Sequence, residues 1–269
     1  MATRRDSRRV STARTTRPLP SDALAARLAP AGFDLVRALD ARHYDDVVAP
    51  EYRLPRAGER DARLAAVIGS SRAFWEPFLA WLRHDPSRLD RPDPIDRYTV
   101  EVVTAALEAL DVAHEVRFSF DPPPRRVAMQ RLADVAGLAA LTPAMLCVHP
   151  TYGPWVALRA AVVFDVAPPD DLPDATPLAC HDCAARCTPA LERAQRAVTE
   201  RAARSAAEVE RGGGDPVAPD WLLWLAVRDA CPLGREHRYP DAYLQYVYTK
   251  DRDVLRAALA EPPPTATPR

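Results

Sequence analysis

The sequence predicts an α+β layered domain with a helical C-terminal portion, and three observations carry that prediction. HEVRFSF, residues 114–120, alternates Val116, Phe118 and Phe120 with His114, Arg117 and Ser119, the period of a strand with one wetter face. RLAAVIGS, residues 63–70, and the two runs inside AMLCVHPTYGPWVALRAAVVF, residues 144–164, are short, apolar and bounded by turn residues. Apolar stripes at helical spacing flank these segments on both sides.

Taken in order, residues 21–62 read as a helical and irregular lead-in broken at Pro30-Ala31-Gly32 and again from Pro50 to Gly58. The apolar element 63–70 ends in a polar turn, where Ser71 is placed to cap a helix whose Phe74, Phe78 and Leu82 recur on one face. Ile95 to Leu110 predicts a second long helix, 114–120 a strand closed by the proline run 122–124, and 127–140 a helix. Gly137 late in that helix suggests a point where another backbone or a ligand approaches closely. The order strand, helix, strand, turn, strand then fills the centre. Residues 165–187 form a proline- and acid-rich connector, Pro189 to Val209 a helix ended by Gly212, Gly213 and Gly214, and the remainder three helices separated at Pro232–Gly234 and Thr249–Asp251.

A chain of 269 residues with 48% hydrophobic and 27% charged residues has a globular composition. Its formal charge of -1 provides no overall field for nucleic acid, and no apolar run is long enough to span a bilayer. The first twenty residues are rich in Arg, Ser and Thr without a hydrophobic signal segment after them. Lys250 is the single lysine and asparagine is absent, which fits an arginine-biased, bacterial genome. The expected organisation is a disordered tail over 1–20, one domain over 21–260 and a disordered exit over 261–269, in a cytoplasmic protein.

Several residues suggest chemistry. His149, at a strand end and followed by Pro150, is a ligand, a proton carrier or a donor that fixes the turn. Arg159 lies among Val156, Leu158, Ala160 and Val162, where its charge must reach a ligand anion, an internal carboxylate or water. Arg228-Asp229 and Glu236-His237-Arg238-Tyr239 make a second polar group, readable as interhelix salt bridges. Ser70 and Ser71 offer donors to a phosphate or an amide, or else make an ordinary capped turn. Cys180, Cys183 and Cys187, with Cys231 at a distance, resemble an incomplete iron-sulfur run or a four-thiolate zinc set, and the reading favoured here is cysteines that bind no metal.

Four stretches, AVIGSSRAFWEPFLAWL, RRVAMQRLADVAGLAAL, MLCVHPTYGPWVALRAAVVF and VRDACPLGREHRYPDAYLQY, together resemble the cobalamin-processing cyanocobalamin reductase/alkylcobalamin dealkylase family. They stand in the family's order, and the resemblance runs from Leu24 to Leu259. It implies a nitroreductase-like, flavin-reductase-related fold with a cleft for cobalamin whose lower-base tail is displaced. The implied activity is removal of the upper axial ligand, cyanide reductively with electrons from reduced flavin and alkyl groups to a small thiol. By the same resemblance Ser70, Ser71, Gly137, Met145, Cys147 and His149 line the cobalamin pocket, and Arg159, Arg228 and Arg256 hold the thiol. A non-catalytic cobalamin carrier and a flavin or iron-sulfur oxidoreductase remain alternatives, and an electron-donor protein or a cobalamin-accepting enzyme are candidate partners. The chain departs from the family at Asp134, which stands where the family has a histidine, in a shorter stretch between Gly137 and Cys147, and in the cluster from Cys180 to Cys187.

Overall fold

The computed structural model describes residues 18–61, 63–172, 178, 181–210 and 221–261. Most of the expected tails, Cys180 and the glycine run 212–214 lie outside the described residues. The chain enters through α1 (Pro20–Leu28) and then forms β1 (Leu35–Asp40), a strand inside what the sequence suggested was an irregular lead-in. LVRALD has no clean alternation, and its strand character comes from pairing along its whole length with a stronger neighbour. A short α2 (Ala41–Asp45) follows, capped by the Asp40 carboxylate on Arg42 N–H at 2.9 Å.

That neighbour is β2 (Leu64–Ser70), every residue of which is buried. Ser71 caps the next turn as expected, its Oγ accepting from Ala73 N–H at 3.2 Å, and α3 (Trp75–His84) follows. Phe74, Phe78 and Leu82 are fully buried on one face; burying each contributes roughly 1.5–3 kcal/mol relative to exposure. Then come α4 (Pro94–Glu108), β3 (His114–Phe118) and α5 (Met129–Val135). Gly137, at φ 68°, follows α5, with its own N–H bonded to Asp134 O and Leu138 N–H bonded to Ala133 O. This is a Schellman cap, and its left-handed backbone is by itself a reason for the glycine.

The short β4 (Ala140–Leu141) and β5 (Cys147–Val148) pair only with each other, so the strand read at 144–148 is a hairpin arm beside the main sheet. The main sheet is antiparallel in the order β1-β2-β6-β3, with β6 (Ala157–Phe164) between β2 and β3. Alternate residues of β2 and β6 serve two cores. Leu64, Ala66, Ile68, Ala160, Val162 and Phe164 pack with α1, α3 and α4, whereas Ala65, Val67, Ala161 and Val163 pack with α2 and α5. Helices therefore cover both faces of the sheet, which is why its central strands read as continuous apolar runs. The C-terminal portion is α6 (Cys187–Glu210), α7 (Trp221–Asp229), α8 (Asp241–Thr249) and α9 (Arg252–Ala260). Tyr243 and Leu244 of α8 and Leu255 of α9 join the first core. No helix of the described residues is long and apolar enough to cross a membrane.

Candidate functional site

The register of β2 against β6 shifts between Ile68, opposite Ala160, and Gly69, opposite Leu158. Arg159 is the extra residue of this bulge. In a regular strand it would share a face with Ala161 and Val163; the bulge turns it toward the first core. There its Nε donates to Ser70 Oγ at 3.2 Å, its Nη2 donates to Tyr243 OH at 2.8 Å, and its guanidinium lies 4.5 Å from the centre of the Phe74 ring. It is 8% exposed and makes no ion pair with a described residue. Among the described residues no carboxylate meets it. Two hydroxyls and a ring face do.

Ser70 links this arginine to the C-terminal helices. Its carbonyl accepts from Tyr239 OH at 2.8 Å, and the Tyr239 ring stacks on Tyr243 at 4.3 Å. Burial raises the Tyr239 hydroxyl well above its ordinary value, so it stays a donor. Ser71 is equally committed, with its N–H and Oγ bonded to the Asp34 carboxylate at 2.8 and 2.6 Å.

A cavity of about 430 Å³ opens on the second face. Its walls are Met129 of α5, Leu146 and Cys147 of the hairpin, Val156 and Leu158 at the start of β6, and Trp224 of α7. Arg228 is the single charged residue in this lining and Gln130 the accompanying amide. Arg228 Nη2 donates to the carbonyls of Pro154 at 2.7 Å and Val156 at 3.1 Å, with Trp155 and Tyr239 facing its guanidinium at 5.4 and 5.9 Å. No described carboxylate pairs with it, so its charge is anchored by carbonyl dipoles beside the apolar chamber.

Met145 stands in the lining with a left-handed backbone, φ 57°, and is 59% exposed. Non-glycine residues adopt that conformation at a cost. It is held there by Met145 N–H to Thr142 O at 2.9 Å and by Gln130 Nε2 donating to Met145 O at 3.0 Å. Burial pushes the Cys147 thiol up to about 12, with Asp134 acting in the same direction and Arg131 against it, so it is a protonated thiol at neutral pH.

His149 belongs to the turn rather than to the cavity lining. Its Nδ1 accepts from Thr151 N–H at 3.0 Å and Tyr152 N–H at 3.2 Å, which places the ring proton on Nε2, and burial lowers its pKa. The turn closes through paired backbone bonds between His149 and Gly153. Gly153 and Gly234 both have positive φ, and a Cβ on Gly153 would stand 2.0 Å from Leu233 O, so only glycine lets these two turns touch.

The remaining expected residues are dispersed. Arg256 is a half-exposed residue of α9 paired with Asp253 at 2.6 Å and with Asp90 at 3.9 Å, and nothing joins it to Arg159 or Arg228. Cys187 and Cys231 share a small buried cluster with Ala144 and Val148, and Cys183 is half-buried. Among the described residues no three of His, Cys, Asp and Glu gather as a metal site. Asp134, in the place of the family histidine, accepts from Leu141 N–H at 2.9 Å and Arg131 Nη1 at 3.0 Å and so braces the hairpin. In the sequence Tyr239 reads only as part of a salt-bridging polar group, and Tyr243 and Gln130 are not singled out; the four-residue spacing of Tyr239 and Tyr243 is the available signal. A larger cavity of about 550 Å³ near Trp81 holds none of the expected residues, and its Arg88 is already shared between Asp85 and Glu101.

The fold and its relatives agree. The chain superposes on the crystal structure of a C. elegans B12-trafficking protein, CblC, a human MMACHC homologue, with a TM-score of 0.61 and 18% identity over 88% of this chain and 94% of that one. It is 26% identical over 174 residues to the human cyanocobalamin reductase/alkylcobalamin dealkylase, a stretch that covers 58% of this chain and 59% of the human protein's length. Residues 32–211, which include the sheet, the bulge, the hairpin and the HPTYG turn, match the model of one family. This chain belongs to the methylmalonic aciduria and homocystinuria type C family.

Proposed function

We propose that this protein binds cobalamin with its lower base displaced and removes the upper axial ligand, by reductive decyanation, thiol-dependent dealkylation or both. Family membership supports the ligand. The observation that carries the site is the apolar cavity with Arg228 as its one charge. Its volume, about 430 Å³, lies near the lower end of ligand pockets, ~300–1,000 Å³. That suits an upper ligand and a small thiol, with the corrin lying across the mouth at Met145 over the backbone of β5 and the cap at Gly137.

In this reading Arg228 offers a guanidinium fork to a carboxylate of the thiol. The thiol, having given its proton to solvent, would attack the alkyl carbon on cobalt as the thiolate, forming a thioether while the electron pair of the broken carbon–cobalt bond stays on the metal. Cys147 is not the nucleophile because its thiol remains protonated. Arg159 supports the site through Ser70 and Tyr239 and does not touch the thiol. Reduced flavin, delivered by a partner or bound in place, would supply the electrons for cyanide release.

The test is anaerobic titration of the purified protein with cyanocobalamin and methylcobalamin, followed by absorbance. The expected result is a shift to the base-off spectrum, then methyl transfer to added glutathione. No shift at micromolar protein would sink the proposal, and a shift without transfer would leave a carrier.

A further inference from the structure

We propose that the turn 149–153 is an acid-sensitive latch, in which the neutral Nε2–H tautomer of His149 closes the turn and its protonation releases the turn from the connector at 233–237. The geometry is specific to one charge state. Nδ1 accepts two backbone N–H groups, from Thr151 and Tyr152. An imidazolium carries a proton on both ring nitrogens, so both bonds are lost when it forms.

The turn is coupled to the rest of the molecule on two sides. Its Gly153 backbone touches Leu233 and Gly234, and the Tyr152 ring sits between the rings of His149 and His237, each 4.8 Å away. Arg72 Nη1 holds the connector at Glu236 O, 3.0 Å away. Beyond the turn, the carbonyls of Pro154 and Val156 anchor Arg228. Opening the turn therefore frees the segment that fixes the cavity's one charge.

The charged groups facing His149 are Asp34, Arg37 and His237. Asp34 favours the imidazolium, but its carboxylate already accepts two bonds from Ser71. Arg37 and His237 oppose it, and His237 lies 3.7 Å from Glu236. Desolvation is the largest cause and also opposes it. The closed turn thus binds the proton less well than the open one. The latch is at full strength above the ordinary imidazole value near ~6.5 and weakens as pH falls toward the lower value of His149, by up to about tenfold per unit.

The test needs only the ligand-free protein, so it is separate from the cobalamin proposal. Amide hydrogen exchange at Thr151 and Tyr152, corrected for intrinsic rates, is compared at pH 7.5 and 5.0. The wild type should lose protection between these pH values, by at most about 30-fold, since only ~1.5 units separate the ordinary imidazole value from pH 5.0 at up to tenfold per unit. In His149→Asn the side-chain oxygen accepts the same N–H groups but does not titrate, so protection should persist at pH 5.0. His237→Gln should keep the wild-type loss. The idea is overturned by constant protection in the wild type, by an unchanged loss in His149→Asn, or by disappearance of the loss in His237→Gln alone. Should His149→Asn fail to fold, the ¹⁵N shifts of the wild-type imidazole decide: protonation at Nδ1 at pH 7.5 also overturns it.

Discussion

Arg159 and Arg228 are both guanidinium groups without a carboxylate partner among the described residues, yet they occupy opposite situations. Arg159 is 8% exposed and spends its hydrogen bonds on Ser70 and Tyr243 while its flat face covers Phe74. Arg228 uses Nη2 for two carbonyls and stands in the wall of an apolar cavity. The difference teaches that an arginine in an apolar stretch is not by itself a ligand contact. The first is a strut joining the sheet bulge to α8; the second is a charge presented to whatever fills the chamber.

Four changes break or sharpen this contrast. The largest stability effect is expected for Arg159→Met, which strands two buried hydroxyls and should cost about 2–4 kcal/mol, read from urea unfolding midpoints at constant slope. A smaller loss than that of Arg228→Met would reverse the roles. Arg228→Met should lower thiol-dependent dealkylation by about 10–100-fold in kcat/KM, or ~1.4–2.8 kcal/mol, with much less effect on unfolding. Tyr243→Phe removes one partner of Arg159 and should cost about 1 kcal/mol without changing kcat/KM more than about twofold. Cys147→Ser lies at the small end, below about 1 kcal/mol, because the single thiol bond, to Gln130 O at 3.6 Å, is weak. In the unmodified protein the same buried thiol should alkylate at pH 7.5 more slowly than the half-buried Cys183. Peptide mapping after iodoacetamide treatment gives both rates.

The contrast also separates the two faces of the sheet. Residues of the first core are dominated by aromatic contacts such as Phe33 with Phe74 at 5.4 Å and Trp75 with Tyr243 at 5.6 Å. The second face carries smaller side chains, Ala133, Ala136, Ala139 and Ala161, against the same strands. The cavity with Arg228 in its wall lies beneath the hairpin on this second face, whereas the larger one near Trp81 lies beside the rings of the first.

By itself the sequence determined β2, β3, β6 and the helices α3 to α9, because periodicity and turn residues act over a few positions and each of these segments is strongly patterned. It also determined the HPTYG turn and pointed to Met145, Cys147 and Arg228, which the fold gathers around one cavity. Tertiary structure decided the rest. LVRALD became β1 only by pairing with β2, and the hairpin arm at 147–148 left the main sheet because its partner is β4. Arg159 has partners 89 and 84 positions away, and the face it points to is set by a single extra residue in the ladder. Such a bulge depends on the register between two strands, a relation between distant segments that no local pattern encodes.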